Sequence, residues 1–412
     1  MSRGSSLGAL GAVLGLAALG TYCARQAPAR APIVASAGAE RGPSRVELVA
    51  AGESHSCALL DDGALRCWGS DAWGQLGVVP RPSLPDGSRG SALPLPAFVL
   101  EGASALALGR SQTCLLDEAG VVRCVGERVH LEDSRKAPVA PLTLDIGEPV
   151  SALAAGGGFA CVLFESSWGA CFGKQAHEGP LRGALGTTTR SGIQLAQLGE
   201  ALTISAIGAG SDVCAITEEG AVRCWRSTEE FRETEAMQNT EELTLPAPAK
   251  AISVNSDYGG CALLESGAVH CWYGGQSGPI AVSAIALDGP ARQVEAGGFF
   301  SCAVLSSGGL RCWGHSKYFE AAAKPLTKDV FAVEVGAAVK SVAVGELHAC
   351  ALLESGAVRC FGHNASGQLG YGHLRDIGDD ESILSAGDVP VLGRPAPVPA
   401  WQAPPPSASS SG

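Results

Sequence analysis

With Cys23 set aside, the other fourteen of the chain's 15 cysteines fall into seven pairs, each separated by ten positions: Cys57 and Cys67, Cys114 and Cys124, Cys161 and Cys171, Cys214 and Cys224, Cys261 and Cys271, Cys302 and Cys312, Cys350 and Cys360. Successive pairs begin 41 to 57 residues apart. A repeat of that length is one supersecondary unit that buries its apolar face only against its neighbours.

The unit can be read from Cys57 to Trp68, CALLDDGALRCW. Alternation on both sides of Asp61, Asp62 and Gly63 predicts a hairpin folded about Asp62, with Gly63 supplying the positive φ that ends a three-residue loop. Folding there sets Leu60 opposite Ala64, Leu59 opposite Leu65, Ala58 opposite Arg66 and Cys57 opposite Cys67. If Leu60 and Ala64 close the loop as a hydrogen-bonded pair, the cysteines form a non-hydrogen-bonded pair with Cα atoms about 4.5 Å apart. That is the close end of disulfide geometry. Glycine recurs at the loop position as Gly120, Gly220, Gly267, Gly308 and Gly356. Only Ser167 departs, in the hairpin that also carries Trp168, so that hairpin is expected to be distorted. Each staple closes a loop worth roughly 2.5 to 3 kcal/mol in the chain-entropy model.

Zinc sites want short Cys knuckles or clustered His, which this spacing does not offer. On one helix, positions ten apart lie about 15 Å from each other, and the midway Gly with Val122, Val222, Val269 and Val358 disfavours helix. Oxidised cross-strand bridges point to an oxidising compartment.

Gly 55 and Pro 24 against two Met describe a chain that turns often, so many short strands are expected. With 46% hydrophobic and 17% charged residues it is not a disordered chain. A strand-like stretch precedes every pair, from Val46 to Gly52 in the first copy to Ser341 to Gly345 in the last. A further apolar stretch precedes each of the last six, for instance Phe98 to Leu100, Leu142 to Ile146 and Phe331 to Val335. The first copy lacks this leading strand, while Val389 to Leu392 follows the last hairpin. The expectation is therefore an all-β, seven-bladed β-propeller with four-stranded blades, its ring closed by the C-terminal strand joining the first blade. The aromatic after most second cysteines (Trp68, Phe172, Trp225, Trp272, Trp313, Phe361) reads as inter-blade core, with Val125 the exception.

The stretches AAGESHSCALLDDGALRCWGSDAWGQLG and AVGELHACALLESGAVRCFGHNASGQLGYG resemble repeats of the regulator-of-chromosome-condensation type: a small-Gly turn, a His before the strand, W-G or F-G after it, and a GQLG close. The resemblance covers roughly residues 46 to 393. It is weaker in the middle, where Arg226 and Tyr273 replace the glycine after the aromatic. It implies a seven-bladed propeller independently of the strand count. The paired cysteines resemble those of exported bacterial members, in the same superfamily as the propeller-type β-lactamase inhibitor. Relatives use the scaffold for nucleotide exchange on a small GTPase inside eukaryotic cells or for β-lactamase inhibition outside bacterial ones, so fold alone does not choose a role.

Residues 1–22 read as a secretory signal: Arg3 ahead of an apolar run at residues 7–20, which is short of the roughly 20 residues of a spanning helix. Residues 23–45 form a low-complexity linker and 394–412 a Pro/Ala/Ser-rich tail. Cys23 stands where a bacterial lipoprotein carries its acylated cysteine, which makes it a lipidation candidate. Removal of Cys23 with the signal is the other reading.

A net charge of −12 repels a phosphate backbone, so no nucleic-acid partner is expected. Export would put intracellular GTPases out of reach. What remains is a secreted or surface-displayed, non-catalytic module, monomeric and without cofactor or metal, that binds a protein or other macromolecular partner. A hydrolase or other enzyme built on the propeller and a structural envelope protein are the alternatives. Neither G-x-S-x-G nor H-E-x-x-H occurs. His55 and His348 share one repeat position, held elsewhere by Gln112, Phe159, Asp212, Gly259 and Phe300, and read as signature residues satisfying a turn. The acidic runs Glu229 to Glu242 and Asp379 to Glu381 read as solvated loops, with weak calcium binding as the rival.

Each hairpin tip points one way, while the turn before the first cysteine and the long link after the second lie at the opposite end. Irregular segments gathered on one rim are where recognition usually lives. The candidate partner surface is His55, Trp73, Phe159, Tyr258, Phe299, Phe300 and His348. The rival reading pins Trp73 within its repeat and has the Phe pair plug the axial channel.

Overall fold

Alternation about each Gly-bearing loop produces the same hairpin seven times in the computed structural model. The structure describes residues 44–78, 80–99, 102–126, 142–144, 146–173, 186–188, 194–198, 204–210, 212–225, 240–255, 259–273, 280–314 and 329–393. In blade 1, Val46–Ala51 pairs with His55–Leu60, which pairs with Ala64–Ser70, which pairs with Gly90–Val99, all antiparallel. The register sets Cys57 opposite Cys67 and Ala58 opposite Arg66, as the alternation predicts. Blades 2, 4, 5 and 6 are four-stranded meanders of the same order, and blade 3 adds Gly186–Thr188 outside its fourth strand. The molecule is a seven-bladed β-propeller. The one helix among the described residues is the single turn Ile383–Ala386.

All seven cysteine pairs are disulfides between the second and third strands, with Cα atoms 3.9 to 4.1 Å apart. Such closeness belongs to non-hydrogen-bonded pairs.

The hairpin with Ser167 is not distorted: Ala160 to Phe172, Cys161 to Cys171 and Leu163 to Gly169 pair in the common register. Ser167 takes the loop conformation itself, at φ 65°, as the one non-glycine with positive φ among the described residues. Local contacts hold it there. Trp168 stacks on Phe164 with ring centroids 4.1 Å apart, and its Nε1 donates to Glu148 at 2.7 Å. The Ser166 hydroxyl donates to the other Glu148 oxygen at 2.7 Å.

Ring closure departs from the expectation. The apolar stretches assigned as leading strands pair backwards, as fourth strands of the preceding blade: Gly90–Val99 on Ala64–Ser70, Leu142–Leu144 on Val122–Gly126, Phe331–Val333 on Leu310–Gly314. Blade 1 is thus complete, and the C-terminal stretch belongs to blade 7, where the Val389 amide donates to the Val358 carbonyl at 2.8 Å. Leu243 on Val222 and Leu198 on Gly169 repeat that contact in blades 4 and 3. The physical reason is locality: a strand that returns on the hairpin it has just left closes a shorter loop than one that spans the ring.

Blade 7 has three regular strands, Val339–Val344, His348–Leu353 and Val358–Gly362. Its fourth is assembled from pieces. Ile377 exchanges two backbone bonds with Gly362, and Val389 reaches Val358. Between them the buried Tyr371 hydroxyl accepts from the Cys360 amide at 3.0 Å and donates to its carbonyl at 3.1 Å. One phenol stands in for a residue of strand.

Trp68, Phe172, Trp225, Trp272, Trp313 and Phe361 are all buried between blades, as is Val125. Near the axis the turns joining first to second strands touch from blade to blade. The amides of Glu53, Arg110, Gly157 and Gly298 donate to the carbonyls of Gly109, Gly156, Gly210 and Gly345 in the next blade. A Cβ on Gly109 would lie 2.4 Å from the Gly156 carbonyl, so the closeness of this belt requires glycine.

Candidate partner-binding face

Strand direction sorts the connections onto two faces. Hairpin tips and the links from a fourth strand to the next blade, 100–102 to 198–203, lie on one. First-to-second turns and third-to-fourth links lie on the other, the links running from 274–280 in blade 5 through 71–89 in blade 1 to 173–193 in blade 3. Variation in length gathers on this second face.

The GQLG segments of blades 1 and 7 are built alike. The Leu76 amide donates to Asp71 Oδ1 at 3.0 Å and the Leu369 amide to Asn364 Oδ1 at 2.9 Å. The Trp73 and Ser366 amides donate to the side-chain oxygens of Gln75 and Gln368 at 2.8 and 2.9 Å. Asp71, fully buried at its side chain, also pairs with Arg81 at 2.8 Å.

These segments leave carbonyls aimed at the next blade, where the two repeat histidines act. His55 Nε2 lies 2.9 Å from the Thr113 hydroxyl of blade 2, which donates to the Gln75 carbonyl at 2.8 Å. His348 Nε2 lies 2.8 Å from the Ser56 hydroxyl of blade 1, which donates to the Gln368 carbonyl at 2.9 Å. Each hydroxyl has one proton and gives it to a carbonyl, so each imidazole donates from Nε2. Nδ1 is then a bare acceptor, buried without a partner in both residues. It packs on the turn glycine, where a Cβ on Gly52 would lie 2.8 Å from His55 Nδ1. Burial depresses both imidazoles to about 3, with a backbone contact to Gln112 opposing this at His55 and the charges of His55 and His363 adding to it at His348.

Gln112 at the same position in blade 2 donates to the Phe159 carbonyl of blade 3. Phe159 and Phe300, 2% exposed, fill the equivalent gaps toward blades 4 and 7. Four of the candidate binding residues, His55, Phe159, Phe300 and His348, are therefore inter-blade packing, enclosed because their position faces the next blade rather than solvent.

Trp73 and Phe299 do reach solvent, at 47% and 42% exposure. Trp73 has a pinned backbone and a free indole; Phe299 sits on the blade 6 turn, its amide on the Glu346 carbonyl at 3.1 Å. Tyr258 lies outside the described residues, as do Cys23 and the segments flanking the propeller. A further aromatic, Tyr273, is 58% exposed at the end of the third strand of blade 5. Its signal was its departure from the glycine that follows the aromatic in other repeats. Contacts between ionisable groups on this face include Glu53 with Arg110 at 3.0 Å, His363 with Asp376 at 3.2 Å and Arg375 with Glu381 at 3.6 Å. Among the described residues no three His, Cys, Asp or Glu side chains are placed to hold a metal ion.

One other carboxyl is perturbed. Glu295, on the innermost strand of blade 6, accepts from Gln293 at 3.0 Å and Ser253 at 3.2 Å. Burial nevertheless pushes it up to about 7.

Residues 46–75, 291–320 and 339–368 match the sequence profile of the regulator of chromosome condensation (RCC1) repeat. Each match begins on the first strand of a blade, which is the frame seen in the fold. Among solved structures, human WBSCR16 is similar with a TM-score of 0.61 at 14% identity, over 75% of this chain and 87% of that one. Yeast RCC1 (Prp20), in a structure with Kap60 bound, is similar with a TM-score of 0.60 at 17% identity, over 86% of this chain and 90% of the other. At such identities the likeness is one of fold. No curated protein sequence matches the chain.

Proposed function

We propose that this chain, a seven-bladed propeller of RCC1-type repeats, is an exported, non-catalytic binding module that takes a protein partner on its loop-rich face. The observation that carries the reading is the concentration there of the long links and of three large solvent-facing side chains, Trp73, Tyr273 and Phe299. Rigid aromatics on a stiff scaffold contribute binding area at low entropic cost. The non-catalytic part is supported by the histidines: both are sealed between blades, neutral, and already hydrogen-bonded to a hydroxyl. Export is supported by seven disulfides, which a reducing cytosol would not maintain, and by the signal-like N-terminus.

The test is capture from native envelope or growth medium by the purified propeller, with co-purifying proteins identified by mass spectrometry. Trp73→Ala combined with Phe299→Ala is expected to reduce specific capture about tenfold or more with the melting temperature unchanged. Undiminished capture by that variant overturns the assignment to this face. Phe300→Ala serves as the contrast, costing about 3 to 5 kcal/mol of stability as a buried deletion.

A further inference from the structure

The outer edges of the blades are where a propeller can still add a strand, and nearly all of them are guarded. The fourth strand of blade 1 carries Pro94 and Pro96. Those of blades 2 and 6 are three residues long, as is the outermost strand of blade 3. In blade 4 the three residues include Glu241 and Glu242. Blade 7 presents Tyr371, Ile377 and Val389 in place of a strand.

Blade 5 is different. Its fourth strand, Ala281–Ile285, has five residues, AVSAI, without proline or charge, all exposed or half-buried. The register pairs Tyr273 with Ala281, Cys271 with Ser283 and Val269 with Ile285. Cys261 and Cys271, with Cα atoms 4.0 Å apart, form a non-hydrogen-bonded pair. Cys271 therefore turns its N–H and C=O toward Ser283, and alternation turns those of Val282 and Ala284 outward. Among the described residues none of these four outward groups has a partner.

We infer that the outer edge of blade 5 is a strand-addition site, which takes an extended segment of another polypeptide paired on Val282 and Ala284. The complement of N–H and C=O groups on alternate residues is another backbone, and main-chain bonds of this kind carry affinity in strand addition. The side chains beside them are small and uncharged, which suits a short uncharged run in the partner. Carboxylates stand at both ends: Glu241, whose Oε1 accepts the Ile280 amide at 2.6 Å, and Asp288, paired with Arg311 yet 62% exposed. Together with the net charge of −12 they favour basic residues flanking that run. A second copy of the chain fits less well. Antiparallel self-pairing about Ser283 would bring the Glu241 end of one copy to the Asp288 end of the other, between two bodies of like charge.

Because the Val282 amide points away from the blade, proline there removes an outward donor without breaking a bond of the sheet. The probe is a fluorescein-labelled peptide, Lys-Lys-Val-Thr-Val-Ser-Val-Lys-Lys, read by anisotropy. Its control has the same charge, with the central Val and both its neighbours replaced by proline. The wild-type protein is expected to bind the probe and not the control. Val282→Pro and, independently, Ala284→Lys should weaken binding about tenfold or more while leaving the melting temperature within a few degrees. Hydrogen exchange at the Val282 and Ala284 amides should be fast in the free protein and slowed by the probe. Equal binding of probe and control, undiminished binding by both variants, or slow exchange of those amides in the free protein overturns the site. Dimerisation that rises with concentration and is abolished by Val282→Pro overturns the choice of occupant in favour of a second copy.

Discussion

Ser167 carries the cost of a left-handed conformation that six sister hairpins assign to glycine. Its removal is a direct measure of how strongly Trp168 and Glu148 hold the loop. Ser167→Gly is expected to stabilise the protein by about 1 kcal/mol in chemical denaturation, and an unchanged or lower midpoint would mean that the turn is not strained. The buried titratable groups make opposing demands on pH. His55 and His348 have folded pKa values depressed to about 3, so the unfolded chain binds more protons and stability falls as pH drops from about 6.5 toward 3. Glu295, raised to about 7, works the other way: its contribution is full below its ordinary 4.5 and is lost as pH rises through 7. Replacing both histidines by Gln, the residue blade 2 already uses, should flatten the loss of stability between pH 6.5 and 4. Glu295→Gln should instead remove the gain on acidification. Denaturation midpoints measured across that range check both. None of this was readable from residue type. A histidine ahead of a strand looks the same whether it faces solvent or a neighbouring blade, and the Ser56 that holds His348 is 292 positions away.

At the scale of the element, the hairpins were legible because two cysteines ten apart around a Gly-bearing loop admit one antiparallel register. Fourth strands were legible as strands but not as to ownership. An apolar run such as Phe98 to Leu100 carries no mark of whether it pairs with the hairpin before it or the one after it, and in the structure it pairs with the former. The improvised fourth strand of blade 7 was hidden for a further reason, since two of its five hydrogen bonds to the third strand come from a side chain. Tyr371→Phe keeps the ring and removes the hydroxyl, leaving the Cys360 N–H and C=O buried without partners. A loss of about 1 to 3 kcal/mol is expected, together with faster exchange of the Cys360 amide. A variant as stable as the parent would show that the hydroxyl does not support the strand.

For the whole molecule, completeness of the repeat motif has a mechanical counterpart. Among the described residues no strand crosses from blade 7 to blade 1; the ring is shut by apolar packing across the seam, by the Gly372 amide on the Ala92 carbonyl at 2.8 Å, by the His348, Ser56 and Gln368 contacts and by the Trp68 indole, which donates to the same Gln368 carbonyl at 2.8 Å. The two repeats that flank this seam are the ones that carry both the histidine and GQLG. Ser56→Ala removes the centre of that cluster and should destabilise the seam by about 1 to 3 kcal/mol, with exchange rising first in blades 1 and 7. Uniform destabilisation of all seven blades would argue that the ring opens nowhere in particular.

Val46 pairs with Leu60 and Val389 with Val358, so the polypeptide enters and leaves the ring on the side of the hairpin tips. A tether that meets the ring at Val46 or Val391, be it a lipid, a resin or a fused protein, would hold the disc from below, as a stem holds a flower head. The side with Trp73 and Phe299 is left turned toward whatever approaches.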